Sequence, residues 1–298
     1  MNTRARVKAV PALLAASIGL SSFGTIAEVL AHEGHKAAKL QPTGFEEIKL
    51  TIEESGVTGM PESIEAGRYL VKVTGPEMGE MGPSGFVIAQ LPEGLTAEQA
   101  LDDVLSATEG APAWYLEAHW GGGASIVEGT EAWVILDLTP GTWHVSTLFG
   151  STLPVQFEVT GEFPEDAMAP EATVELDMFE MDFKVLSGEF VAGENLVTVH
   201  NSGALIHFAE VLSLPDGTTE EQVEGLFNSY MTGTPEPDML NEADTMPVFY
   251  APDQSPGVSM TFPLNLEAGT YLFSCWVQDP ETGMPHAMMG MHELITVE

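Results

Sequence analysis

A single cysteine, Cys275, stands near the end of this 298-residue chain, and the residues after it carry two more groups that bind soft metals. His286 follows across a ten-residue loop, and Met291 lies five residues beyond it. Tyr271, Phe273 and Cys275 alternate as a strand does, Gln278 to Pro285 has the composition of a loop, and Leu294 to Val297 reads as a closing strand. Two apposed strands bring the ends of such a loop together. A set made of thiolate, imidazole and thioether then favours copper over a hard cation. A lone cysteine is otherwise most often a small buried hydrophobe, so what raises Cys275 above that is its place at a strand end beside His-x-x-x-x-Met.

The run Gly269-Thr-Tyr-Leu-Phe-Ser-Cys275, a loop, then His286-x-x-x-x-Met291 resembles the C-terminal signature of the cupredoxins, the blue type 1 copper proteins. The resemblance covers about Thr173 to the end, and its loop is longer than in most of that family. It implies a further histidine ligand upstream, at the start of a strand after an Asn/Gly turn, which His207 fits in Asn201-Ser-Gly-Ala-Leu-Ile-His207. His200, ending the preceding strand, reads as a solvated side chain. The ligand set implied is His207, Cys275 and His286 with a weaker axial Met291, holding one copper per chain. On the same resemblance His286 is the ligand nearest solvent and the point of electron exit. Met284, Met288, Met289 and Met291 form a cluster that reads either as core filler or as a flexible apolar docking rim; in the second reading Met288 and Met289 are a soft patch around the metal, Trp276 shields it from water, and His292 is exposed.

The elements that position these residues occur twice. Leu91-Pro-Glu-Gly-Leu-Thr96-Ala-Glu-Gln99 returns as Leu214-Pro-Asp-Gly-Thr-Thr219-Glu-Glu-Gln222. In each, Thr followed three residues later by Gln is a capping box, predicting helices over about 97 to 106 and 220 to 230. Tyr69 to Val73 and Leu196 to Val199 are alternating strands after Ala-Gly, and Gly141-Thr-Trp143 mirrors Gly269-Thr-Tyr271. The expected fold is all-β, two tandem Greek-key β-sandwiches of cupredoxin-like form, each with one short inserted helix. The boundaries are 44–161 and 172–298, with Glu162-Phe-Pro to Glu171 as linker. Aligned through these matches, His207 falls on Ser84 and Cys275 on Thr147, so the first copy carries no metal site. There, His119-Trp120-Gly-Gly-Gly reads as a loop with an aromatic anchor and His144 as a strand residue, both structural. Glu98, Asp102 and Asp103 read as the solvated face of a helix, with no calcium loop around them.

Forty-five acidic residues against nine basic ones give a formal charge of −36, and no Lys or Arg follows Lys184. Such a surface excludes nucleic-acid binding through phosphates and is repelled by anionic lipid. It suits a basic redox partner or adaptation to salt, the latter fitting both halves. Residues 1–31 have the form of a secretory signal: Arg4, Arg6 and Lys8, an apolar run, then Val29-Leu30-Ala31. The expectation is export to a periplasmic or extracellular location with no membrane association after cleavage. Residues 32–43 form a flexible segment in which His32 and His35 could meet a metal without fixed geometry.

The function expected is a one-electron carrier, or a protein handling copper, whose partner is a redox protein or a copper donor or acceptor. An oxidoreductase of the nitrite reductase or multicopper oxidase kind is disfavoured, because the neighbours of Cys275 are Ser274 and Trp276 and no His-x-His pair occurs. A colourless Cu(I) chaperone, or a metal-free protein-binding module, is the remaining alternative.

Overall fold

The computed structural model describes residues 42–298 apart from 77, 80, 81, 108, 109, 128, 149–151 and 233–238. Residues 1–31, expected as a secretory signal, and His32 and His35 lie outside the described residues. The first half runs β1 (Glu46–Glu53), β2 (Gly56–Thr58), β3 (Ser63–Glu65), β4 (Gly67–Thr74), β5 (Met78–Gly79), β6 (Gly82–Gln90), α1 (Ala97–Ser106), β7 (His119–Ile126), β8 (Glu131–Leu138), β9 (Gly141–Thr147) and β10 (Val155–Thr160). The second runs β11 (Val174–Phe179), β12 (Asp182–Gly188), β13 (Gly193–Asn201), β14 (His207–Leu214), α2 (Glu220–Thr232), β15 (Met246–Gln254), β16 (Ser259–Leu266), β17 (Gly269–Ser274) and β18 (His292–Val297).

Both helices begin where their capping boxes place them. Thr96 accepts from the Gln99 amide while Gln99 accepts from the Thr96 amide, at 3.2 and 3.0 Å. Thr219 and Gln222 repeat the exchange at 3.4 and 2.9 Å. Each exchange satisfies amide donors that the first helical turn leaves without a partner. Glu98, Asp102 and Asp103 face solvent on α1.

The strands form two sheets, in the orders β12-β11-β13-β16-β8-β4-β1-β2 and β18-β17-β14-β15-β7-β6-β9-β10-β3, with β5 on β6. Both sheets run through the two halves. Met260 and Thr261 of β16 pair with Leu136 and Ile135 of β8, and Gln254 of β15 pairs with Gly121 of β7. Unpaired, these four strands would leave rows of bare amides and carbonyls at the sheet edges, a liability the pairing removes. One hydrophobic cluster, from Ile48 to Val297, fills the space between the sheets and draws on both halves.

The segment His119-Trp120-Gly-Gly-Gly, expected as a loop, is instead the start of β7 and lies at this junction. Its glycines serve close approach. A Cβ on Gly121 would lie 2.7 Å from the Trp143 ring, and one on Gly122, at φ +83°, 2.9 Å from Met260 Sδ across the junction. Glycine in a strand marks such a place as readily as it marks a turn. Polar groups fasten the same seam: the Trp120 amide donates to Ser255 Oγ at 2.8 Å, the Ser255 amide to the Trp120 carbonyl at 2.9 Å, and the Tyr115 hydroxyl to the buried Asp253 carboxylate. Among the described residues no helix is long and apolar enough to cross a membrane.

Candidate metal centre

Cys275 follows the last residue of β17, a strand held between β14 and β18. The backbone around it is closely tied: its amide donates to the Met291 carbonyl at 3.2 Å, its carbonyl accepts from Ala287 at 2.6 Å, and the Met291 amide donates to the His286 carbonyl at 2.9 Å. These bonds explain why ten intervening residues do not carry His286 away from Cys275. The loop doubles back on itself. Gln278 bridges Pro285, the His286 amide donates to the Val277 carbonyl at 2.9 Å, and Asp279 Oδ1 accepts from the Thr282 amide and hydroxyl at 2.8 and 2.7 Å, with Gly283 at φ +71° closing the turn. The additional residues are therefore an excursion with a closed stem, and His286 opens a single 3-10 turn that ends at Gly290, φ +113°.

His207 is the first residue of β14, opposite Gln254 on β15. The turn before it is set by Asn201, almost wholly buried. Its amide nitrogen donates to the carbonyls of Leu205 and Gln254 at 2.8 and 2.7 Å, and its amide oxygen accepts from Gly203 at 3.0 Å. The buried Gln254 side chain in turn donates to Val199 and Val258. The expected Asn/Gly turn is thus tied by the Asn201 side chain, which fixes where the imidazole starts.

Three of the four expected ligands meet. His207 Nδ1 lies 3.2 Å from His286 Nδ1, and Cys275 Sγ lies 3.8 Å from the first and 3.6 Å from the second. Within this triangle a point equidistant from the three atoms lies about 2.1 Å from each, close to the bond lengths a first-row metal makes to imidazole and thiolate. Among the described residues this is the group of three or more His, Cys, Asp or Glu side chains close enough to hold an ion. Met291 is fully buried and bonded through its backbone to both Cys275 and His286. The donor set is soft and nitrogenous, and it fits copper.

The site is sealed. His207, Cys275, His286 and Met291 each have 0% of their surface exposed, His286, expected as the ligand nearest solvent, included. The turn between β11 and β12 packs on this end of the molecule. Ser202 donates from its amide to the Met178 carbonyl at 3.0 Å and from its hydroxyl to Asp177 at 2.7 Å, and Glu180 accepts from the amides of Ala204 and Leu205. The Met181 carbonyl lies beside Gly290 of the ligand loop, and Met181 adopts φ +60°, a left-handed conformation that no other described non-glycine residue takes.

Burial decides the protonation of these donors in the metal-free protein. It pushes His207 down to about 3, helped by its neighbour His286, and it lowers His286 as well. It pushes the Cys275 thiol up to about 12. Both imidazoles are therefore neutral and ready to ligate, whereas the thiol must lose a proton to do so. Trp276, expected as a shield of the metal, is 2% exposed and packs edge-to-face against Phe227 and Tyr230 of α2 with centroids 5.4 and 5.3 Å away.

Residues outside the ligand set are placed as follows. His200 is part-buried and bonded to Ser259 Oγ at 2.8 Å, not solvated. His292 is not exposed either: its ring packs on Phe227, its Nε2 lies 3.4 Å from Glu220, and its Nδ1 lies 3.1 Å from the Ala287 carbonyl. Met284 and Met289 are surface residues, 39% and 36% exposed, while Met288 packs against the core. His119 and His144 stand near Trp143 in the first half, away from any soft donor.

No protein-family model matches the chain, and none of the curated proteins does. Its structure is similar to solved cupredoxins over less than half its length. A dithionite-reduced auracyanin of Roseiflexus castenholzii is 22% identical over 43% of this chain and 98% of its own, with a TM-score of 0.29. Auracyanin A of Chloroflexus aurantiacus, described as a "blue" copper protein, is 15% identical over 42% and 99%, TM-score 0.25. An azurin of Methylomonas sp. strain J is 13% identical over 42% and 95%, TM-score 0.24. The chain is thus similar to auracyanins and azurin over some 43% of its length, and it carries a buried His-Cys-His group.

Proposed function

We propose that this protein is an exported one-electron carrier holding a single copper ion between His207, Cys275 and His286, with Met291 as the weaker fourth donor. The observation that carries the reading is the triangle of two imidazole nitrogens and one thiol sulfur, all within 4.8 Å of one another and fully buried. When bound there, copper supplies a Cu(II)/Cu(I) couple. The chain supplies a ligand frame pinned by backbone hydrogen bonds, which leaves little to reorganise between the two states.

We read the two halves as two cupredoxin-like units joined edge to edge. Support comes from the strand orders, each of which pairs a first-half strand with a second-half strand about the junction. Strand register supports it too: Phe86 opposite Thr147 in the first half, and Glu210 opposite Ser274 in the second, set Ser84 against His207 and Thr147 against Cys275. The first unit then widens the sheets and core without a metal of its own.

Burial of all four donors argues against catalysis, since substrate has no path to an open coordination position, and against hand-off of the ion, which needs a partner's ligands to reach it. Electrons tunnel through a few ångströms of protein and need no such opening. The partner in this reading is a redox protein with a basic face, matched to the charge of −36. The test is titration of the purified protein with Cu(II), following metal content and visible absorption. One copper per chain with an intense visible band is the expected result. Stoichiometric Cu(I) binding without colour would favour a chaperone, and no binding a protein-binding module.

A further inference from the structure

The two halves finish their outer edges differently. In the first half the sheet does not stop at β10, because the three residues of β3 pair in parallel with Glu158, Val159 and Thr160. The Glu158 amide donates to the Glu62 carbonyl at 3.0 Å, and the Ala66 amide to the Thr160 carbonyl at 2.7 Å. β18 holds the corresponding place in the second half, since Ile295 lies opposite Tyr271 as Phe157 lies opposite Trp143. Yet β18 ends its sheet, and no described strand lies beyond it.

The segment that would cover β18 is held elsewhere. Counted back from Ala192-Gly193 as β3 is from Ala66-Gly67, the counterpart of Ser63-Ile64-Glu65 is Glu189-Phe190-Val191. The buried Asn195 side chain accepts from the Val191 amide at 3.0 Å and donates to the Val191 carbonyl at 2.8 Å, so both backbone groups of Val191 are used within its own turn. Phe190 packs into the core against Phe273, with centroids 5.3 Å apart. Between this segment, β12 and β18 a groove of 370 Å³ remains, lined by the apolar Phe183, Phe190 and Ile295 and by the charged Lys184, Glu189 and Glu293. Val185, Leu186 and Val191 beside it are 39%, 50% and 49% exposed. A bare strand edge next to exposed apolar side chains is a liability unless something covers it, and in the first half β3 does so.

We propose that the outer edge of β18 is a docking site for an extended, cationic segment of a partner protein, which adds to this sheet as β3 adds to β10. The first half shows what fits: a short parallel strand whose central Ile64 packs against the core. Thr296 is the counterpart of Glu158, so its amide faces the groove as that of Glu158 faces β3. In such strand addition the main-chain bonds supply affinity and the alternate side chains supply specificity. Charge selects the occupant. A second copy of this chain brings a charge of −36 to a surface of the same sign, whereas lysine or arginine on either side of an apolar residue meets Glu189 and Glu293. The proposal stands on the sheet edge and does not depend on the metal.

Two synthetic peptides test the site on the metal-free, full-length protein. Lys-Val-Lys-Ile-Lys-Val-Lys sets its apolar side chains on one face of a strand, and Lys-Lys-Val-Ile-Val-Lys-Lys, of the same composition, cannot. Calorimetry measures their affinities, and amide NMR shifts locate them. The alternating peptide is expected to bind about tenfold tighter or more, the worth of one or two hydrogen bonds, and to shift the amides of β18 and of Glu189 to Val191. Thr296→Pro removes the outward amide at an edge position where proline is tolerated, and should cost a similar factor with the circular dichroism of the sheets unchanged. Glu189→Gln combined with Glu293→Gln leaves the backbone intact and should weaken binding at low salt. Equal affinities for the two peptides, shifts spread over the whole surface, or variants that both bind as wild type does would overturn the proposal. Sedimentation of the free protein as a dimer with β18 amides protected would overturn it too, by making a second copy the occupant.

Discussion

His207 and His286, 79 residues apart in sequence, face each other through Nδ1 at 3.2 Å, with the Cys275 sulfur completing the triangle. In the metal-free protein the imidazoles are neutral and the thiol is protonated, so metal uptake at neutral pH must expel one proton from Cys275. Affinity should rise about tenfold per pH unit between about pH 7 and 9. Competition titrations with a chelator of known pH dependence measure the slope, and an affinity flat over that range would contradict a buried thiol as ligand.

Asp253, 4% exposed and bonded to the Tyr115 hydroxyl, gives a second pH signature at the junction of the halves. Burial pushes it up to about 6 from 3.8. A carboxyl whose folded value is raised adds stability below its unfolded value and loses that contribution as pH rises through the folded one. Relative to Asp253→Asn, the wild type should therefore lose about 3 kcal/mol between about pH 3.5 and 7, since a tenfold change in proton affinity is worth about 1.4 kcal/mol. Denaturant unfolding of the metal-free proteins at both pH values reads the difference. A gap that does not change with pH would place Asp253 in a wetter environment than the structure gives it.

The acidic surface should make stability depend on salt. Lys49 and Lys72 pair with Glu47, and Arg68 with Asp137, leaving most carboxylates to repel one another. Ions screen such repulsion over about 10 Å at about 0.1 M. The melting temperature should climb as sodium chloride is raised from low to moderate concentration, and a melting temperature indifferent to salt would show the charges to be dispersed enough not to matter.

The shared sheets change what the first half can do alone. A fragment of residues 44–161 should bind no copper, since Ser84 and Thr147 stand at the positions that register matches to His207 and Cys275. It should also self-associate, because β7 and β8 lose the strands that cover them. Size-exclusion chromatography of a soluble, monomeric fragment would contradict the second expectation, and tight one-to-one copper binding the first.

Much of the site was legible because its signals are local. Cys275, His286 and Met291 share one loop, and the helix starts follow from Thr96 with Gln99 and Thr219 with Gln222. His207 needed the resemblance, since only its place after Asn201-Ser-Gly203 separates it from His200. What escaped depends on long-range contact. Gly121 to Gly123 read as a loop because glycine allows close approach and turns alike, and only Trp143 and Met260 decide between them. The contact of Met181 with Gly290 of the ligand loop joins residues about a hundred apart in the chain. The pairing of His292 with Glu220 and its packing on Phe227 likewise depend on where α2 lies.

The most direct test of the central claim is the visible absorption of the Cu(II)-loaded protein, wild type against Cys275→Ser. Thiolate covalency gives such a centre its colour, while the two imidazoles alone can still hold Cu(II). Wild type should be intensely coloured with one copper per chain, and Cys275→Ser should lose that band even where some copper remains bound. Identical copper spectra and affinities for the two proteins would show that Cys275 is packing and not a ligand, and the account of the centre would fall.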